Sequence, residues 1–238
     1  MRAIPTMAKA ASACLFVGVT VTGCTDDGSA MKGSSAEQML DDANAVMRGL
    51  TSVTIKTVTK KNGGDVTSTR LSTDLKATCA FTMTSSTGAG LEQIRTDGTD
   101  YVRPNRAYLE ESGYDVAGTG QQDLWAKTPA DTAQPGDGLA GCTQEFASFG
   151  EVSEGGPAEV DGAPAMVLKV ADGTDKGGSF AFYVATEGKP YLLKVVYEGE
   201  EVSTTTSFSA FDEPLDVHVP DADEVVDPAA VDWDEGLG

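Results

Sequence analysis

Val21-Thr22-Gly23-Cys24 has the residue types and spacing of a lipid-modification site. Small Thr22 and Gly23 fit a peptidase that cleaves just before cysteine. A diacylglyceryl group carried on the Cys24 sulfur would then anchor the chain to a membrane. The flanks agree. Arg2 and Lys9 supply a positive region, and Ala10 to Val21 is an uncharged run of twelve residues. A spanning helix needs about 20 apolar residues, so this run has the length of a signal-peptide core instead. Val21 stands where leucine is commoner. After Cys24 the sequence turns abruptly polar, Thr-Asp-Asp-Gly-Ser. Residues 1–23 are therefore expected to be removed, and 24–34 to form a flexible tether. The alternative is an ordinary secretory peptide with an unmodified cysteine. No other stretch is long and apolar enough to span a bilayer. A single lipid anchor on the outer surface of the cell membrane is the expected attachment.

The other cysteines sort by elimination. Cys14 leaves with the signal peptide and Cys24 is acylated. Cys79 and Cys142 remain as an even pair in an oxidising compartment, so a disulfide between them is expected. Closing so long a loop stabilises a fold by roughly 4 kcal/mol on the chain-entropy picture. The pair lacks CxxC spacing, which argues against redox catalysis.

Catalytic chemistry finds little material. His218 is the only histidine, too few for a histidine metal cluster, and HExxH and GxSxG motifs are absent. Ser29-Ala30-Met31-Lys32 matches SxxK formally but sits in the tether, where nothing holds the pair in geometry. The Asp-Gly pairs at Asp97, Asp137, Asp161 and Asp172 are turn signals. The dispersed acids make chance carboxylate pairs inevitable, so a hydrolase is a distant reading. The expectation is a protein that is not an enzyme, with no cofactor and no metal.

Composition narrows the partners. Removing residues 1–23 leaves 215 residues with 15 basic and 37 acidic side chains, a net charge near −22. That length is enough for one domain with a real core. The net charge repels nucleic acid and anionic headgroups and favours solubility on a crowded surface. No DxDxDG loop is present for calcium. A monomer is expected.

The elements follow from period. Ser35 with Gln38 forms a capping box, and Ala36, Met39, Leu40, Ala43, Val46, Met47 and Leu50 recur at helical spacing up to a Gly49 cap. From Thr51 the period becomes two. Asn62-Gly63-Gly64, Gly88-Ala89-Gly90 and Asp97-Gly98 punctuate a meander of about five antiparallel strands. Pro104 to Gly150 breaks the pattern, with a short helix over Arg106 to Glu111, a short strand at Leu124 to Lys127, and a helix over Leu139 to Phe149. A Cys79–Cys142 bond would set that last helix on the face of Cys79, Phe81 and Met83. A second meander runs from Ala158 to Phe211, turning at Asp161-Gly162, Gly173 to Gly178 and Glu187 to Pro190. Met166, Leu168 and Val170 share a face, as do Phe180, Phe182 and Val184, and Tyr191, Leu193, Val195 and Tyr197. Pro214 to Pro220 is extended, and an acidic tail from Asp221 follows. These ten strands, apolar on one face, require helices to cover that face.

Several stretches resemble the LppX/LprG-type bacterial lipoproteins. They are the lipobox cysteine and polar tether, then SSAEQMLDDANAVMRGLTSVTIK, FAFYVATEGKPYLLKVVYEG and TSFSAFDEPLDVHVPDADEVVD. The likeness covers most of Ser35 to Asp227, is most specific at the C-terminal end, and is poor over Pro104 to Gly138. It implies an α+β fold, a LolA-like half-barrel: a curved antiparallel sheet of about ten strands wrapping a few helices on its concave face. It would occupy 35–220 as a single domain, with 221–238 as the tail. Known members bind acylated lipids or glycolipids in an apolar cavity and help move them across the envelope. Carried onto this sequence, the resemblance makes Phe81, Met83, Met166, Leu168, Phe180, Phe182, Leu193 and Val195 candidate cavity liners. These residue types build a cavity wall and a filled core alike. A lipid-binding carrier is the leading reading. The alternative is an envelope interaction or sensory accessory lipoprotein without a small ligand.

Overall fold

The computed structural model describes residues 34–113, 124–132, 138–146, 150–171 and 177–226. Helix α1, Ala36–Arg48, begins where the Ser35 hydroxyl accepts from the Gln38 N–H at 3.2 Å. It buries Met39, Leu40, Ala43 and Met47 of the stripe that its spacing predicts, together with Asn44, while Ala36 and Val46 are half-buried. Gly49 closes it in a right-handed conformation (φ −84°) rather than a left-handed one.

The strands are β1 (Val53–Lys61), β2 (Val66–Thr73), β3 (Cys79–Ser85), β4 (Gly90–Thr96) and β5 (Thr99–Pro104), then helix α2 (Arg106–Glu111) and β6 (Trp125–Pro129). The second half supplies β7 (Val152–Val160), β8 (Ala163–Ala171), β9 (Ser179–Ala185), β10 (Leu192–Glu198), β11 (Val202–Ser209) and the two-residue β12 (Val225–Val226). All belong to one sheet of 12 strands in the order β12-β6-β5-β4-β3-β2-β1-β11-β10-β9-β8-β7. Each meander therefore zips up locally, and the pairing of β1 with β11 joins the two across the length of the chain. Neighbours are antiparallel except β12 and β6, which run parallel. The sheet does not close, and the result is an α+β curved half-barrel with β7 and β12 at its edges. Two-residue turns tighten it where sequence marked them: Asp97-Gly98 (φ 50°, 73°) and Asp161-Gly162 (φ 50°, 85°) both take the left-handed region that a type I′ hairpin needs.

Three features depart from the sequence reading. Leu139 to Phe149 is not an α-helix: Gly138–Thr143 is a 3₁₀ turn, 144–146 follow without regular structure, and 147–149 lie outside the described residues. Strand β7 begins at Val152, six residues before the expected Ala158. Gly155-Gly156-Pro157 hides it, because neither glycine nor proline carries a strand signal, and a bulge interrupts its pairing between Glu154 and Gly156. Val225 and Val226, assigned by sequence to the tail, pair with Trp125 and Ala126. The turn over 173–178 falls largely outside the described residues, and so do Cys24, the tether to residue 33, and Trp233.

The core lies on the concave face. Helix α1 packs against β7, β9 and β10, while the 3₁₀ turn Gly138–Thr143 packs against β2, β3 and β4. Leu40, Met47, Val53, Leu139, Cys142, Leu168, Val170, Phe182 and Val184 are buried between them.

Candidate functional site

The concave face changes character along its strands. At the end beneath α1 and the 3₁₀ turn it is sealed. The Cys79–Cys142 disulfide, with Cα atoms 5.6 Å apart, ties the turn to β3. The Thr73 hydroxyl donates to the Cys142 carbonyl at 2.6 Å. Arg95, paired with Asp100 through two contacts of 2.7 Å, donates from Nη1 to the Leu139 carbonyl at 3.3 Å. Asp74, just beyond Thr73, organises the β2–β3 turn. Burial raises its carboxyl pKa, but N–H groups of Lys76, Ala77 and Thr78, each 2.9 Å from Oδ1, outweigh that and hold it below the ordinary carboxylate value.

Toward the opposite end the inward positions turn to threonine. Thr57 and Thr206 share a hydrogen bond at 3.1 Å, and Thr59 and Thr204 one at 3.3 Å. Thr67 and Thr69 on β2 pair with Thr59 and Thr57 and so extend the same rows. All six are half-buried. On the neighbouring strands the same rows turn apolar: Val195 continues the row of Thr57 and Thr206, Tyr197 and Phe180 continue that of Thr59 and Thr204, and Phe208 stands one row nearer the sealed end, all four half-buried. The Phe180 and Tyr197 rings are 4.7 Å apart, and Phe208 meets Phe146 edge-on at 5.9 Å. An apolar band bordered by hydroxyls suits a ligand with an apolar part and a hydrogen-bonding part.

The eight candidate liners fall in several environments. Leu168 and Phe182 are fully enclosed in the core cluster. Phe81 packs against that cluster beneath Gly138, where a Cβ would run into its ring. Met166, Phe180 and Val195 are half-buried and packed against the core. Met83 lies on the rim of a groove of about 430 Å³ shared with Leu91, Arg103 and Asn105. Leu193 sits at an irregularity in the β9–β10 pairing, and its neighbour Leu192 takes the fully buried position. The bulge breaks the expected alternation from Tyr191 through Leu193 to Val195. Sequence reasoning did not single out the threonine rows, because threonine reads as ordinary strand composition. It aligned Tyr197 with its strand but did not carry it into the site.

Among the described residues no group of three or more His, Cys, Asp or Glu side chains could hold a metal ion. No described helix is long and apolar enough to cross a membrane. His218 is exposed, 3.2 Å from Asp216.

No protein-family model and no curated protein matches the sequence. Solved structures do match. LprF from Mycobacterium bovis aligns with a TM-score of 0.51 at 14% identity, over 78% of this chain and 96% of its own. The Mycobacterium tuberculosis lipoprotein LppX aligns with a TM-score of 0.50 at 12% identity, over 77% of this chain and 100% of its own. Identities this low speak to architecture alone: the chain shares the fold of LprF and LppX.

Proposed function

We propose that this chain is a non-enzymatic envelope lipoprotein, anchored through Cys24, that binds an apolar or acylated lipid on the concave face of its half-barrel. The observation that carries the reading is the unsealed apolar band, Phe180, Val195, Tyr197 and Phe208, next to the hydroxyl rows of Thr57, Thr59, Thr204 and Thr206. An acyl chain would lie along the band, and a polar headgroup would meet the threonines. LppX, whose fold it shares, is a lipoprotein, which supports the anchor. A soluble form beginning at residue 25 keeps the whole core cluster, which is drawn from residues 36–211. Purified from bacterial cells and extracted with organic solvent, it is expected to release acyl lipid by mass spectrometry, and a Phe180→Ser/Tyr197→Ser variant severalfold less. A clean extract, with no uptake of a fluorescent fatty acid, would sink the proposal.

A second reading, an interaction protein without a small ligand, draws on Leu168, Phe182 and Phe81. Leu168 and Phe182 are buried in the core cluster and half-buried Phe81 packs against it, which supports a filled core at those positions.

A further inference from the structure

The convex face carries a charge pattern opposite to that of the whole chain. Strand pairing aligns Arg70, Lys56, Ser207, Lys194, Tyr183 and Val167 in one row across β2, β1, β11, β10, β9 and β8. The next row holds Val58, Thr205, Val196, Ala181 and Lys169, and the one beyond it Lys60, Ser203 and Glu198. Arg70 is set apart: it lines a groove of about 410 Å³ with Glu213 and Asp216, from the segment after β11 that runs over this side of the sheet. The rest is open. Lys56, Lys60 and Lys169 are exposed, and Lys194 lies over the Tyr183 ring at 4.0 Å. No ion pair among the described residues uses any of the four. Among them Val58, Val167, Tyr183 and Val196 stand half-exposed. Glu198 is the one acid within these rows.

Four lysines around an apolar-aromatic centre, on a protein of formal net charge −20, mark one face for a negatively charged partner. We propose that this face docks on an anionic lipid bilayer. The net charge does not forbid it. At physiological salt, charges further than about 8 Å apart are largely screened, so the nearest patch decides which side approaches. Geometry adds a second argument, which rests on the Cys24 anchor proposed above. Glu37, at the start of α1, shares a cleft of about 650 Å³ with Glu151, Ser153, Lys169 and Ser179. The tether thus leaves the domain beside the lysine-bearing end of the face. The ten peptide links between Cys24 and Ser34 reach at most about 35 Å. Docking by the convex side would hold the concave trough turned away from the anchoring membrane.

The test uses the soluble form beginning at residue 25, so it is independent of acylation. It is sedimented with vesicles of phosphatidylcholine containing 30 mol% phosphatidylglycerol, or of phosphatidylcholine alone, in low and in physiological salt. Retention is expected on the anionic vesicles only, and to weaken as salt rises. Each lysine near an anionic surface is worth roughly a fivefold change in binding. Lys56→Glu/Lys194→Glu should therefore lower retention at least tenfold, with an unchanged unfolding temperature. The equal-charge control Lys76→Glu/Lys189→Glu should retain most of it. No retention on anionic vesicles, or equal losses in both variants, overturns the proposal. Capture by an acidic polypeptide with no vesicle binding would also overturn it. Metabolic labelling of Cys24 with palmitate tests the anchor separately.

Discussion

Arg48, the last residue of α1, donates from Nη1 to the carbonyl of Phe146 at 2.9 Å. This bond joins the two covers of the concave face. Helix α1 sits on the C-terminal meander and the 3₁₀ turn on the N-terminal one, and among the described residues the pairing of β1 with β11 is what joins the two meanders within the sheet. Phe146 also meets Phe208 on β11 at 5.9 Å, so the bond closes a circuit from helix to turn to sheet.

The disulfide holds the turn in that circuit. Cys79→Ser/Cys142→Ser, or reduction of the native protein, is expected to cost roughly 4 kcal/mol on the loop-entropy estimate. Urea unfolding with and without reductant measures this. Because Phe146 follows Cys142 closely, losing the disulfide should also loosen the Arg48 bond. Arg48→Met should therefore cost less in the cysteine-free protein than in the native one. Equal costs in both backgrounds would show that the two covers are independent.

Gly138 makes the close approach of the turn feasible. A Cβ there would strike the Phe81 ring and lie 2.6 Å from Gln93 Oε1. Gly138→Val is expected to destabilise by about 1–3 kcal/mol, the usual range for overpacking a tight site. A paired Phe81→Ala should recover part of the loss. Thermal unfolding of the two single variants and the double variant decides this.

That glycine also shows where sequence legibility ends. Period-two alternation, the Asp97-Gly98 and Asp161-Gly162 turns and the Ser35 cap are local physics, and the corresponding strands and helix stand where they point. The 3₁₀ turn is set by tertiary contact. Gly138 and Gly141 are there because Phe81 and Leu71 press on them, and a helical reading of Leu139 to Phe149 has no means of weighing that. The same holds at β10. A bulge exchanges the places of Leu192 and Leu193, and a single shift of this kind moves a side chain from wall to core. The apolar band and the threonine rows are both present in the pattern, but only the pairing of β1 with β11 brings Thr57 to Thr206.

Two carboxylates contribute to the acid limit of the fold. Asp74 is held low despite its burial by three backbone N–H donors. Asp212 is held low first by the Thr51 backbone N–H at 2.8 Å, then by its hydroxyl and by Lys189 at 3.7 Å. Both depart downward from 3.8, so their stabilisation is present above that pH and disappears as pH falls through the folded values. The unfolding temperature should be nearly level from pH 7 to about 5 and drop below about 4. Asp74→Asn should lower it at pH 7 and make the acid limb shallower. An unchanged acid limb would remove Asp74 from this role.

The ends of the sheet have a consequence of their own. On one side Val225 and Val226 lie along β6, so the chain supplies its own last strand. On the other, β7 presents Glu154, Gly155, Gly156, Pro157 and Glu159 around a bulge, which gives an incoming strand a poor template. With both margins blunted, this protein is ill suited to recognise anything by lengthening its ladder. What it meets must be met broadside, on the hollow of the sheet or on its back, so that two encounters can take place at once without competing for backbone.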